Sequence, residues 1–396
     1  MLKLKYLFEN YGLAKEALEN WEHDEDTLDR MLSQFRISSN AIYPFCQNGE
    51  VCFLRLSPLE EKMENNVFGE MEFIRYLLER GYPALKPIGT KTGELCLKLD
   101  TEWGQFYAAA FRKVDGVPVE DTELSHEIMR EYGKTLGRLH SLSSHYAAKT
   151  KKWTHSEVLD WIMSVLSEYH APEAAVSEQI AIKNELGRLP ANRNTYGLVH
   201  YDFELDNVFY DKEKKACSVI DFDDGMYHWF ALDLEQVFES LEDRLSGEAL
   251  QSARNEFIEG YQEERPYTRE MEEWLPLMRR FSNLYGYARL IRCVAEKFAD
   301  EPEWLTDVTG KLKWTNNGKE KSPTKYSLLS IMLVNIILER RKGNGEGKNV
   351  QRNTSLQANR IYNQEVCSSN RNRQKDSPKV LEYERRRIFK ISGREP

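Results

Sequence analysis

The side chains best suited to chemistry lie between residues 198 and 224, in the stretch LVHYDFELDNVFYDKEKKACSVIDFDD. Asp202, Glu204, Asp206, Asp221, Asp223 and Asp224 crowd together there, with His200 and Asn207 among them. Two unit charges about 4 Å apart repel by roughly 1 kcal/mol in water and roughly 4 kcal/mol at an effective dielectric of 20. Such a cluster requires cations or strongly shifted pKa values. Its oxygen donors suit a hard divalent cation such as Mg2+, which takes one or two ligands from protein and the rest from phosphates and water. A solvated acidic loop is the alternative that charge alone allows.

The elements that carry these residues set how close they come. Apolar, β-prone residues at 198–199, 208–210 and 217–220 predict three short strands, and the polar run 211–215 between the last two has no helical period. If those two strands pair as an antiparallel hairpin, Asn207 at the start of one lies beside Asp221 at the end of the other. Asp202, on the loop that feeds the hairpin, reaches the same space.

The order His200-x-Asp202-x-x-x-x-Asn207, followed by Ile220-Asp221-Phe222-Asp223, resembles the catalytic and metal-binding loops of the protein-kinase-like superfamily. It is most similar to the aminoglycoside phosphotransferase and choline kinase branch. Protein kinases read H-R-D and D-F-G at these places, whereas this chain has Tyr201 for the Arg and Asp223 for the Gly. The missing Arg is the one that holds an activation-loop phosphate. Its absence speaks against a phosphorylation-activated protein kinase and leaves the small-molecule branch untouched.

The resemblance implies an α+β, protein-kinase-like fold of two lobes. Residues 1–112 form a small antiparallel β lobe with leading helices and one key helix. Residues 113–309 form a mostly helical large lobe carrying both loops. The implied cofactors are ATP and Mg2+, and the implied reaction moves the γ-phosphoryl group to a hydroxyl of an amino alcohol, amino sugar or hydroxy amino acid. Asp202 then accepts or orients the hydroxyl proton, His200 fixes the loop, and Asn207 and Asp221 hold the metal. Arg55, in the run CFLRL, takes the strand position of a phosphate-binding Lys. Glu70, on an apolar stripe of a helix expected over 60–80, is its expected partner, with Glu72 as second choice. Adenine is expected against the crossover 112–116, at backbone near Phe111 and Lys113. Asp233 resembles the buried acid that braces the catalytic loop and reads equally well as an acid at a helix N-terminus. No GxGxxG marks a phosphate lid, which leaves Ser38, Ser39 and Asn40 as candidates. A catalytically silent nucleotide-binding module is the rival function, and the retained metal ligands oppose it.

Elsewhere, Asn48-Gly49 between the β-rich runs 40–45 and 51–56 predicts a hairpin. Residues 13–35 read as one or two amphipathic helices, and Gly81 before Pro83 as a helix stop. Strands are expected at 85–88, 95–99 and 105–111. A helix over 123–145 contains Gly133 and Gly137, small enough to let a neighbour approach. His140 and His145, five apart, do not share a helical face, so packing is preferred to metal binding. Helices over 153–186, 250–264, 270–284 and 285–298 complete the large lobe. Glu235, Glu239 and Trp274 are candidates for recognising a cationic alcohol.

The chain of 396 residues exceeds one average domain, and 41% hydrophobic content supports a real core. A net charge of −9 disfavours nucleic acid as a partner. From Gly343 onward twelve Lys/Arg face six acids, so the body before it is more acidic still; an acidic cleft suits a cationic acceptor. Six cysteines without CxxC pairs fit a reducing compartment. The charged N-terminus does not read as a signal peptide, and the longest apolar run, 328–338, is far short of the roughly 20 residues of a membrane span. A cytoplasmic protein without membrane contact is the expectation. Residues 310–396 read as a basic, polar, linker-like tail, or as a foreign end appended to an otherwise complete enzyme.

Overall fold

The computed structural model describes residues 10–37 and 39–294. They belong to the compact unit Met1–Ser322. Ser38, Cys367 and the whole stretch 310–396 lie outside the described residues.

Asn48 (φ 55°) and Gly49 (φ 76°) both take the left-handed conformation that a two-residue hairpin turn requires. They set β2 (Ala41–Gln47) antiparallel to β3 (Glu50–Pro58), from Gln47↔Glu50 to Ala41↔Leu56. The short β1 (Arg36–Ile37) pairs with β2, and β6 (Gly104–Arg112) pairs with β3. Flanking β6 are β4 (Pro87–Ile88) and β5 (Leu97–Thr101). Because side chains alternate across a strand, Leu54 and Leu56 point to one face of this sheet. There they pack with Tyr43, Phe45 and Trp21 beneath α1 (Tyr11–Leu18) and α2 (Leu28–Leu32). Arg55 points the opposite way, toward α3 (Glu64–Glu79). That helix starts later than its sequence pattern predicts, since Leu59–Glu61 form a single 3-10 turn. It stops as expected at Gly81 (φ 68°), where the Tyr82 N–H closes on the Leu77 carbonyl at 3.0 Å.

The large lobe begins with β7 (Val117–Pro118) and α4 (His126–Ser143), followed by α5 (His155–Glu168) and α6 (Glu173–Leu186). Thr154 and Glu157 cap α5 reciprocally. Four short strands carry the chemistry: β8 (Tyr196–Val199), β9 (Val208–Asp211), β10 (Ala216–Val219) and β11 (Met226–Trp229). β9 lies between β10 and β7, and β11 pairs with β8. The chain continues through α7 (Ala231–Glu242), α8 (Gly247–Gln262) and α9 (Arg269–Val294). The two helices expected at 270–284 and 285–298 are one, with Pro276 inside it. The inner face of α3, with Phe73, Ile74 and Leu77, joins the large-lobe core, so the two lobes share one apolar cluster.

The glycines of α4 do what their size suggested. A Cβ at Gly133 would stand 1.9 Å from the Phe257 carbonyl oxygen, and one at Gly260 would stand 1.8 Å from that of Arg130. Backbone on α8 therefore lies directly against α4. Gly133→Ala must push the helices apart and is expected to cost about 1–3 kcal/mol, the range for overpacking. The check is a lower urea midpoint with an unchanged slope.

Cys46, Cys52, Cys96, Cys217 and Cys293 are free and buried. No described helix is long and apolar enough to cross a membrane.

Candidate active site

The predicted hairpin forms in the register that the argument needs. Val208 faces Val219, and one step further the Ile220 N–H donates to the Asn207 carbonyl at 3.0 Å. Asn207 and Asp221 thus flank the same end of the ribbon. Asn207 Nδ2 donates to the Asp202 carboxylate (3.0 Å) and to its backbone carbonyl (2.9 Å), which draws Asp202 into that space.

Asp233 braces the loop before Asp202. One carboxylate oxygen accepts from the His200 N–H at 2.9 Å and the other from the Tyr201 N–H at 2.8 Å. His140 Nε2 lies 2.9 Å from the same carboxylate, and its Nδ1 3.0 Å from the Tyr261 hydroxyl. Asp233 therefore fills both roles open to it, since it also sits in the first turn of α7. His140 is scaffold: burial pushes its pKa down to about 4 against the pull of Asp233. His145 bonds locally to the Ser141 carbonyl, and the two imidazoles form no metal pair.

His200 is fully buried, and burial lowers its pKa, which keeps it neutral. Its Nδ1 accepts from the Asp202 N–H (3.2 Å), so Nε2 carries the proton and donates to the Ile220 carbonyl (2.9 Å). One imidazole thereby ties the loop of Asp202 to the loop of Asp221. Tyr201 (φ 62°) and Asp221 (φ 64°) are both left-handed. Strain of that kind costs about 1–3 kcal/mol per residue and persists only where the surroundings enforce it; the Asp233 carboxylate enforces it at Tyr201.

The acidic cluster finds its cations from distant parts of the chain. Burial opposes the charge on Asp223, yet Lys62 at 2.5 Å and Arg55 outweigh it and hold the carboxyl well below the usual range. Asn40 Nδ2 adds a hydrogen bond to the same oxygen at 2.8 Å. Asp224 is likewise held down against burial by Arg289 at 2.7 Å. Asp221 differs. Burial first, then the like charges of Asp223, Asp202 and Asp224, push it well above the usual carboxylate range. A divalent cation would relieve that position. Among the described residues no group of three His, Cys, Asp or Glu is placed to hold a metal ion.

On the small-lobe side, Arg55 docks on Glu70 through two parallel bonds, 2.8 and 2.6 Å. Its guanidinium lies 5.0 Å from the Phe111 ring centre. Glu72 is not its partner: two positions along a helix turn a side chain about 200°, to the far side. Glu72 instead accepts from the Tyr146 hydroxyl and from the N–H groups of Lys149 and Thr150. At the crossover, the Arg112 N–H donates to the Lys86 carbonyl (2.9 Å) and the Lys113 N–H to that of Val51 (3.1 Å). Those two amides are engaged, so any adenine contact at Lys113 must use another group. Among the lid candidates, Asn40 bridges Asp223 and the Ser57 hydroxyl, and the Ser39 hydroxyl accepts from Arg289 at 3.3 Å. The cationic-alcohol candidates fare worse. Glu235 is buried against Arg279, and Trp274 packs on the hydrophobic core one helix away from Glu239.

Lys62, Lys152 and Arg289 carry no motif that marks them in the sequence. Their partners lie 161, 71 and 65 residues away. The only signal was the surplus of acids, which demanded cations from somewhere. Lys152 donates to the carbonyls of Phe222 (3.1 Å) and Asp223 (2.7 Å), and burial pushes its pKa down to about 8.

Comparison with known proteins agrees with this arrangement. The chain is 27% identical over 240 residues to amicoumacin kinase of Bacillus subtilis (strain 168), covering 58% of this chain and 68% of that one. It is 26% identical over 217 residues to homoserine kinase of Caulobacter vibrioides (strain NA1000 / CB15N), covering 53% and 65%. Each match spans about two thirds of the relative's length. Among solved structures, an amicoumacin kinase in complex with AMP-PNP and Ca2+ superposes with a TM-score of 0.64 at 20% identity, over 78% of this chain and 94% of that one. A microcompartment-associated aminopropanol kinase gives 0.57 at 16%, over 86% and 100%. These two likenesses establish the two-lobe, protein-kinase-like α+β fold. Residues 45–274, more than half of the chain, match the phosphotransferase enzyme family, and the protein belongs to that family as a small-molecule kinase.

Proposed function

We propose that the protein transfers the γ-phosphoryl group of Mg·ATP to a hydroxyl of a small amino alcohol, amino sugar or hydroxy amino acid. The observation that carries this reading is the convergence of Asp202, Asn207 and Asp221 at one end of the β9–β10 ribbon, with Asp221 buried beside the like charges of Asp223, Asp202 and Asp224. The residues fit a magnesium ion: Asn207 turns Nδ2 to Asp202, leaving Oδ1 as its metal-seeking atom, and Asp221 supplies a carboxylate. Bound there, the ion would compensate charge on the transferring phosphates.

The chain's own residues do the remainder. Asp202 accepts or orients the acceptor's hydroxyl proton, and Asn207, by bonding it, fixes which carboxylate oxygen faces the acceptor. His200 and Asp233 hold that loop in register with Asp221. Arg55, aligned by Glu70, steadies the α/β-phosphates, and the adenine lies toward Phe111 and the backbone beyond it. Placement and charge compensation of this kind account for most of phosphoryl-transfer catalysis. An amine-bearing acceptor is supported by the relatives, whose names give amicoumacin, homoserine and aminopropanol as substrates, and by the acidic body of the chain.

A panel of amino alcohols, amino sugars and hydroxy amino acids, screened for Mg-ATP-dependent phosphorylation, tests the reading. Asp221→Ala is expected to abolish Mg-dependent nucleotide binding, measured by calorimetric titration with and without the metal. Unchanged metal-dependent binding in that variant removes Asp221 from the metal site.

A further inference from the structure

Lys62 stands apart from the residues that the family pattern marks. It follows the single 3-10 turn Leu59–Glu61, so no regular helix fixes its direction, yet its ammonium points inward and its side chain is 17% exposed. With Arg55, Ser57, Glu70 and Asp223 it lines a space of about 10 Å³, room for one water, so a phosphate reaches it only as these side chains part. Among the described residues its hydrogen bond, at 2.5 Å, goes to Asp223, and an ammonium has three donors.

The order of groups along the cleft gives this lysine a place. Phe111, at the end of β6, lies against Arg55. Arg55 is anchored sideways by Glu70. Lys62 comes next and contacts Asp223, two residues beyond Asp221 on the same loop. On the phosphotransferase reading, a nucleotide with its base near Phe111 and its metal at Asp221 carries its phosphates along the side where Arg55 and Lys62 stand. Asn40, which bonds both Asp223 and Ser57, closes the cleft over that path from the β1–β2 turn.

We propose that Lys62 is a second phosphate-binding cation, directed at the terminal phosphate of ATP, and that Asp223 is the positioning residue that holds it ready. This rests on the phosphotransferase reading above. The contact with Asp223 holds the Lys62 ammonium in place. When the triphosphate enters, the two remaining donors of Lys62 meet γ-phosphate oxygens while Asp223 retains the third. Asp223 replaces the Gly of the protein-kinase loop for this purpose: a glycine there would leave the lysine without a partner.

The test compares Mg·ATP and Mg·ADP binding by calorimetric titration for the full chain, Lys62→Met, Asp223→Asn and the double variant. Charge-assisted hydrogen bonds are worth about 1.5–3 kcal/mol, so Lys62→Met is expected to weaken ATP binding roughly 10- to 100-fold and ADP binding by less than about threefold. Lys62→Arg is expected to restore part of the preference for ATP. The double variant separates the proposal from a purely structural ion pair. If Lys62 only neutralised Asp223, removing both charges would recover ATP affinity; as a phosphate ligand, its loss is not recovered. Recovery in the double variant, or equal losses for ATP and ADP in Lys62→Met, overturns the proposal. Failure of the unmutated protein to bind Mg·ATP at all sinks the phosphotransferase reading itself.

Discussion

Asp202→Ala is expected to lower kcat by about 10²–10⁴-fold, the usual contribution of a positioned general base, while ATP affinity stays within about twofold. The separation follows from the geometry. Asn207 Nδ2 donates to the Asp202 carboxylate and also to its backbone carbonyl, so Asn207 keeps an anchor when the carboxylate is removed, and Asp221, Arg55 and Glu70 lose no hydrogen bond. Asp202→Asn keeps the volume and offers Asn207 an acceptor, so its residual rate isolates the carboxylate's charge from its shape. Steady-state kinetics on an acceptor found by the screen, together with equilibrium ATP titration, measure both quantities. Wild-type turnover in Asp202→Ala removes the mechanism, and a collapse of ATP binding assigns Asp202 to the metal site instead.

Glu70→Ala is expected to be the most destabilising single change at the site. The pair it breaks is buried on both sides, with side chains 8% and 1% exposed for Arg55 and Glu70. Removing one member of a buried pair costs about 3–5 kcal/mol, because the other is left charged and unpartnered. Arg55 would then be drawn toward Asp223 and Asp221, whose fields already reach it, and the phosphate path would be blocked. KM for ATP should rise along with the loss of stability. Replacing both residues, as Arg55→Met with Glu70→Leu, is expected to recover most of the stability and none of the activity, since well-packed apolar groups often match a buried ion pair. Chemical denaturation of the single and double variants reads the first effect, and ATP titration reads the second. A loss under about 1 kcal/mol in Glu70→Ala would show that water reaches Arg55 and that the pair is not a buried strut.

Legibility from sequence varied with the range of the interaction. The Asn48-Gly49 turn, the Gly81 stop and the β9–β10 ribbon depend on residues close in the chain, and each forms as its local pattern predicts. The Arg55–Glu70 partnership was readable because helix periodicity put Glu70 on an apolar stripe, where a carboxylate needs a partner, and the family resemblance named the strand cation, 15 residues before it, as that partner. Glu72 was a plausible substitute only until the helical turn was drawn in full. The boundary expected between 284 and 285 is absent: α9 runs through it, and through Pro276, as one helix. Glu235 was misjudged because an acid beside aromatics looks like a cation site until Arg279, 44 residues on, fills it.

By itself the sequence determined the reaction class through a resemblance, that of His200-x-Asp202-x-x-x-x-Asn207 and Ile220-Asp221-Phe222-Asp223 to the kinase-like loops, and those residues sit within one local unit that a hairpin brings together. Tertiary structure alone decided how the acids in that unit are tolerated. Lys62, Arg289 and Asn40 arrive from 161, 65 and 183 residues away, and no periodicity or motif encodes a contact across such distances. Coulomb energy in a desolvated cleft demands counter-charges, but only the folded chain fixes which lysine or arginine supplies each one and which carboxylate, Asp221, is pushed upward by burial and its acidic neighbours.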